Sequence, residues 1–190
     1  PEGEVWTYGD VQRRANQIAQ VLTEDYGVVP GNRVMLRGPN NPWQAAAWLG
    51  VLKAGAVVVT TMPMLWANEV QQLVELTKPT VLITDHRNAE GLAEMQPGGD
   101  TPLPAIITYG ADTLDDLVQQ ATAKAGEFTA VQTAADDVAL LGPTSGTTGV
   151  PKVTMNFHRD ILANADTYAK HVSKMTADDV IVCSAPFAFT

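Results

Sequence analysis

The chain predicts an α/β fold, a largely parallel sheet flanked by helices on both faces. Short β-branched runs ("GNRVMLRG", "AVVVTT", "TVLITD", "AIITY", "DVALLG", "DDVIVCS") alternate with segments whose apolar residues recur at helical spacing. Repeated strand–helix–strand units of that kind are the signature of parallel sheets. The second observation is "AVVVTT" itself, which is β-branched on both faces, as a strand covered on both sides requires. The third is size: 190 residues, 45% of them hydrophobic, are enough for one real core, and such a chain buries about 70% of its unfolded surface.

In order, "TYGDVQRRANQIAQVLTEDYG" opens with Thr7 and Asp10 at capping-box spacing, carries Val11, Ala15, Ile18 and Leu22 on one face, and stops at Gly27. The strand "GNRVMLRG" runs into the breaker cluster "PNNP", and a nearly all-apolar helix, 43–54, follows and closes at Lys53 and Gly55. After "AVVVTT", the segment "ANEVQQLVELTK" is expected to turn Val70, Leu73, Val74 and Leu76 inward. "TVLITD", a helix near 88–95, the loop "QPGGDTPLP", "AIITY" and the amphipathic "TLDDLVQQATAKA" come next. "GEFTAVQTAAD" is a polar bridge, so the expected organisation is one incomplete N-terminal α/β domain: a first α/β segment over 1–126, a linker over 127–137 and a phosphate-loop segment over 138–190. The last segment reads as the strand "DVALLG", the helix "HRDILANADTYAKHV" and the strand "DDVIVCS".

A net charge of -9 and a pI near 4.6 argue against a general nucleic-acid surface, because such a surface needs a basic face to displace counterions. Any phosphate site must be local. A single cysteine, Cys183, permits no internal disulfide and points to a reducing, cytoplasmic setting; it lies in an apolar strand and reads as packed. The stretch "WQAAAWLGVLKAGAVVV" is split by Lys53 and Gly55 into a buried helix and a buried strand and is too short to span a membrane. His86, His158 and His171 have no cysteine or carboxylate at ligand spacing, so no metal site is expected. Asp115, Asp116, Asp136 and Asp137 read as solvated charges at element starts, and the tryptophans as mostly core. The first residue is not methionine and the last residues, "SAPFAFT", stop in apolar sequence, which reads as a piece of a longer protein.

The chemistry concentrates in "LLGPTSGTTGVPK", Leu140 to Lys152. Gly146 and Gly149 permit torsions that turn successive N–H groups toward one point. Thr144, Ser145, Thr147 and Thr148 add hydroxyl donors, Lys152 supplies a cation, and a helix following the loop adds its N-terminal N–H groups if its start comes close enough. A P-loop NTPase is disfavoured, because Pro151 precedes the lysine and Val153 stands where the magnesium-binding hydroxyl belongs. The loop is therefore expected to bind phosphate without holding the metal.

"TSGTTGVPK" resembles the phosphate-binding motif of the adenylate-forming superfamily, the AMP-dependent synthetases and ligases. "WTYGDV", "LKAGAVVVTT", His158 six residues after Lys152, and "APFAFT" resemble further family motifs, in the expected order over essentially the whole chain. The resemblance implies the N-terminal part of an ATP-dependent acid–CoA ligase that makes an acyl-adenylate and passes the acyl group to a thiol. It implies that Thr144, Ser145, Gly146, Thr147, Thr148 and Gly149 wrap the β- and γ-phosphates, and that Lys152 neutralises the departing pyrophosphate. ATP, a carboxylic acid and CoA are the implied partners, with Mg2+ held by the nucleotide and by residues beyond this chain. The main catalytic lysine of the family, its aromatic–Thr–Glu motif and its ribose-binding aspartate lie outside the sequence, so the isolated chain is expected to be inactive. Val153 departs from the family's usual glycine or alanine after the lysine. "RGPNNPWQAAAWLGVLKAGAVVVTTMPML" and "FHRDILANADTYA" resemble ligases for aromatic acids, 2-aminobenzoate–CoA ligase and benzoate–CoA ligase in particular, with Phe187 and Phe189 as one wall of a flat apolar slot or as plain core aromatics. His158 reads as a helix-start residue near the loop. The alternative is a free-standing nucleotide- or phosphate-binding module without catalysis. Oligomeric state leaves no signal.

Overall fold

The computed structural model describes residues 5–98, 101–144 and 151–188. Among these, β1 (Arg33–Arg37), β2 (Val57–Thr61), β3 (Val81–Asp85), β4 (Ala105–Tyr109), β5 (Val138–Thr144) and β6 (Lys152–Phe157) form one six-stranded sheet in the order β4-β3-β1-β2-β5-β6. The first five are parallel; β6 is antiparallel to β5. Alternation along β1 divides its side chains: Val34 and Leu36 face one core cluster, Met35 the other.

Helices cover both faces, as the double-sided β2 requires. Helix α1 (Tyr8–Gln20), α2 (Pro42–Lys53) and α4 (Leu117–Thr122) pack Ile18, Trp43, Ala47, Val51 and Leu117 on the face of Val34 and Leu36. Helix α3 (Ala67–Thr77) packs Val70, Leu73 and Val74 against Met35, Val59 and Leu82 on the other. Each start has a local cause. The Thr7–Asp10 capping box forms, with Thr7 Oγ1 accepting from Asp10 N at 3.1 Å, and Asn41 caps α2 by accepting from Gln44 N at 2.8 Å. Gly27, at φ 63, ends the turn of π-helix (Val21–Asp25) that continues α1.

Several expectations are corrected. The fourth inward position of α3 is Thr77, not Leu76, which is exposed; 70, 73, 74 and 77 hold the i, i+3, i+4, i+7 stripe, and Leu76 lies off it. The stretch 88–95 folds as two single 3₁₀ turns, His86–Asn88 and Leu92–Glu94, with a positive-φ Gly91 between them. "DDVIVCS" pairs with no strand, and Val180, Ile181 and Val182 are exposed. Cys183 is therefore exposed, not packed. Helix α5 (His158–Asn164), continued by a π-helical stretch (Ala165–Val172), forms as expected.

Asp116 is also corrected: it is fully buried, not solvated. It caps α4, accepting from Val118 N at 2.7 Å and reaching back to Ala111 N at 2.6 Å. Asp116→Ala leaves two part-buried donors unmet and is expected to destabilise the chain by about 2 kcal/mol. Urea unfolding at constant m-value measures this, and an unchanged midpoint would show the cap to be dispensable.

Candidate functional site

Thr144 ends β5 at the carboxyl edge of the parallel strands, and Lys152 begins β6 directly opposite it. The Thr144 hydroxyl donates to the Lys152 carbonyl at 3.4 Å, and Thr154 Oγ1 donates to Gly142 O at 3.2 Å across the same ladder. Both Thr144 and Lys152 are exposed. Ser145, Gly146, Thr147, Thr148 and Gly149 lie outside the described residues; what is fixed is the pair of strands they join.

That connection is a hairpin between antiparallel strands, not the strand-to-helix loop expected. Six residues, "KVTMNF", form β6 first. Helix α5 begins only at His158, beside Phe157, which pairs with Val138 at the amino end of β5. A strand of that length separates the helix N-terminus from Lys152 by roughly 20 Å, so its N–H groups do not serve the loop. The same geometry corrects His158. It does start a helix, with its N–H donating to Asp137 O at 3.1 Å, but it lines a cavity at the opposite end of the sheet with Arg33, Asp137 and Met155.

Phe187 lines an apolar pocket, of about 340 Å³, with Ala45, Trp48 and Leu49 of α2 and with Cys183, Ala185 and Pro186. Phe189 lies outside the described residues. Asn40 holds this segment at two points: its Nδ2 donates to Ala185 O at 2.8 Å and its Oδ1 accepts from Phe187 N at 2.8 Å. Thr60, near the end of β2, donates to Ala188 O at 3.4 Å. The segment thus crosses the carboxyl end of β2, the strand beside β5, and the pocket and the hairpin share one end of the sheet.

The sequence reading missed a polar group at that end. Tyr109, closing β4, is fully buried; its hydroxyl donates to Gln44 Oε1 at 3.0 Å, with Asn41 Nδ2 at 3.5 Å, and burial pushes its phenol far above the ordinary value. Asp85, closing β3, is buried under a fork from Arg87, whose Nε and Nη2 each lie 2.9 Å from a carboxylate oxygen and whose backbone N–H adds a third bond at 3.0 Å. His86 Nδ1 lies 3.6 Å away. The only sequence signal for these groups was a polar residue terminating each buried apolar run.

Burial pushes the Asp85 carboxyl up, and the Arg87 hydrogen bonds and charge more than reverse this, holding it below the ordinary carboxylate range. A depressed folded value contributes stability above the ordinary carboxylate range and loses it as pH falls through the folded value. Without Arg87, burial prevails and that loss moves upward. Arg87→Ala is therefore expected to raise the pH at which the chain unfolds in acid, followed by far-ultraviolet circular dichroism; an acid midpoint equal to wild type would contradict it.

Among the described residues no group of three His, Cys, Asp or Glu could hold a metal ion, and no helix is long and apolar enough to cross a membrane.

A β5–β6 hairpin and an apolar pocket thus share one end of a parallel sheet, and the chain is similar to several known proteins. The chain is 30% identical over 176 residues to the long-chain-fatty-acid–CoA ligase FadD13 of Mycobacterium tuberculosis, covering 93% of this chain and 34% of that protein. It is 32% identical over 167 residues to the 3-hydroxybenzoate–CoA/4-hydroxybenzoate–CoA ligase of Thauera aromatica, covering 82% of this chain and 30% of that one. It superposes on the inhibitor-bound N-terminal domain of FACL13 from Mycobacterium tuberculosis with a TM-score of 0.87 and 28% identity, covering 99% of this chain and 46% of that one. The chain spans about a third of the length of these two ligases. The AMP-binding enzyme family matches residues 1–190 from end to end, and the chain belongs to that family.

Proposed function

We propose that this chain is the phosphate-loop portion of a longer ATP-dependent acid–CoA ligase acting on an aromatic carboxylic acid. The observation that carries the reading is the shared location of hairpin and pocket: Thr144 and Lys152 end one strand pair, and the Phe187 pocket lies over the end of the adjoining strand. A nucleotide held by the hairpin and an acid held in the pocket would meet at this end of the sheet. The apolar lining, with the aromatic rings of Trp48 and Phe187, suits an aryl group, and the hydroxybenzoate ligase among the relatives supports that class.

In the proposed reaction a carboxylate oxygen attacks the α-phosphorus of ATP, the bond to the β-phosphate oxygen breaks, and pyrophosphate leaves. Thr144 to Gly149 hold the β- and γ-phosphates, and Lys152 meets the charge that develops on them. A thiolate, that of CoA, then attacks the acyl carbonyl and AMP departs. The donors on this chain, hydroxyls and one ammonium, fit phosphate oxygens; they do not fit Mg2+, which the nucleotide and residues elsewhere in the ligase would hold. A cytoplasmic setting belongs to the same reading.

Acid-dependent exchange of labelled pyrophosphate into ATP tests this. The complete ligase should exchange with benzoates in preference to long-chain fatty acids, and the isolated chain should not exchange. Preference for long-chain acids would remove the aromatic assignment. Exchange by the isolated chain, or none by the complete protein with any acid, would remove the larger claim.

A further inference from the structure

Strand β1 ends on a buried charge. Arg37 is 5% exposed; its Nη2 donates to the Leu65 carbonyl at 2.5 Å, while Nε and Nη1 are buried without a hydrogen-bond partner among the described residues. Burial pulls the guanidinium below its ordinary value, and no acidic neighbour among the described residues opposes this. Asp85, one strand away, is engaged by Arg87 and cannot serve. A guanidinium left so is costly, and native structures rarely leave such donors unmet.

The position in the fold is equally telling. From β1 the chain moves through α2 to β2 on one side, whereas from β3 it moves to β4 on the other. Helix α2 packs on one face and the Leu92 and Met95 turns on the opposite face, so the connections part at the carboxyl ends of β1 and β3. Such a switch point is where open α/β sheets place ligands. Arg37 stands there, in register with Thr61 of β2 and Thr84 of β3. Both hydroxyls already donate to backbone, Thr61 Oγ1 to Leu36 O at 3.1 Å and Thr84 Oγ1 to Asp85 O at 3.2 Å. Lys152 is three strands away, roughly 14 Å across the sheet, so Arg37 is no part of the phosphate hairpin.

We propose that Arg37 is a carboxylate-binding site at this switch point. A water molecule could accept from the free N–H groups but would leave the charge uncompensated. A planar carboxylate supplies both the acceptors and the opposite charge, in the geometry a guanidinium favours. It has two sources: an aspartate or glutamate of polypeptide outside the described residues, or a small free acid.

The probe is formate, exchanged for chloride at fixed ionic strength, with the ¹⁵N-labelled chain observed at its arginine Nε–H signals. Arg37→Lys, which has no Nε–H, identifies the Arg37 signal by its loss; Arg37→Gln serves if that variant does not unfold cooperatively. The Arg37 signal should move downfield and saturate, with the other arginines unaffected. No movement, movement linear in formate, or equal movement of every arginine would overturn the site. The isolated chain suffices here, so failure of the ligase reading leaves this result standing. In the complete ligase, a signal already downfield and indifferent to formate identifies the protein's own carboxylate, and one still responsive identifies a small acid.

Discussion

If the proposed ligase reading holds, replacing Lys152 with alanine in the complete protein slows acyl-adenylate formation by about 10²–10³-fold, with a much smaller effect on thioester formation from preformed adenylate. The two half-reactions differ in what leaves. In the first, charge accumulates on the β- and γ-phosphates as the bond to the α-phosphorus breaks, and an ammonium held at that place is worth more in the transition state than in the ground state. In the second, AMP leaves and pyrophosphate is gone. Lys152 is well placed for this selective role because the β5–β6 ladder sets its position opposite Thr144. Exchange of labelled pyrophosphate reads the first step and single-turnover thioester formation the second. An equal fall in both would assign Lys152 to general nucleotide binding or to folding.

Gly38→Ala should cost about 3 kcal/mol, at the upper end for overpacking a buried site. A methyl group at Gly38 would stand well inside contact distance of the Tyr109 hydroxyl, 3.2 Å from Tyr109 Cζ and 3.0 Å from Gln44 Oε1. Tyr109 is fully buried and its hydroxyl is bonded to Gln44. Its ring cannot retreat without breaking that bond and disturbing the cluster that includes Trp43 and Ile107. The clash has a specific remedy. Tyr109→Phe removes the obstructing oxygen, so the double variant Gly38→Ala/Tyr109→Phe should lose less stability than the sum of the two single changes. Additive losses in urea unfolding would mean that the methyl group is accommodated elsewhere.

These sites also measure what the sequence could tell. The sheet, the helices on both faces and the Thr7 capping box were legible because each rests on local chemistry: β-branched runs, helical spacing, a hydroxyl three residues before an acid. The pairing of β6 was not. "KVTMNF" carries no mark that distinguishes an edge strand folding back on β5 from the approach to a helix, and direction follows from which neighbour offers its hydrogen bonds. "DDVIVCS" failed for the converse reason: its composition suits a strand, yet no described neighbour pairs with it. At the candidate site, Lys152 and Thr144 stood out by motif and Phe187 by chemistry. Asn40 was hidden in a run that read only as a breaker, although it holds the pocket segment from 147 residues away in sequence. Arg37, Asp85 and Tyr109 come together only through the order of the strands that they terminate.

The hairpin has a consequence for how this chain tolerates insertions and deletions. Lys152 takes its place from the ladder, so residues added within 145–150 lengthen the connection while the lysine stays opposite Thr144. One residue added between Lys152 and Phe157 acts differently, because side chains alternate along a strand and a single step turns the lysine to the other face of the sheet. Length can drift on one side of Lys152 and cannot on the other.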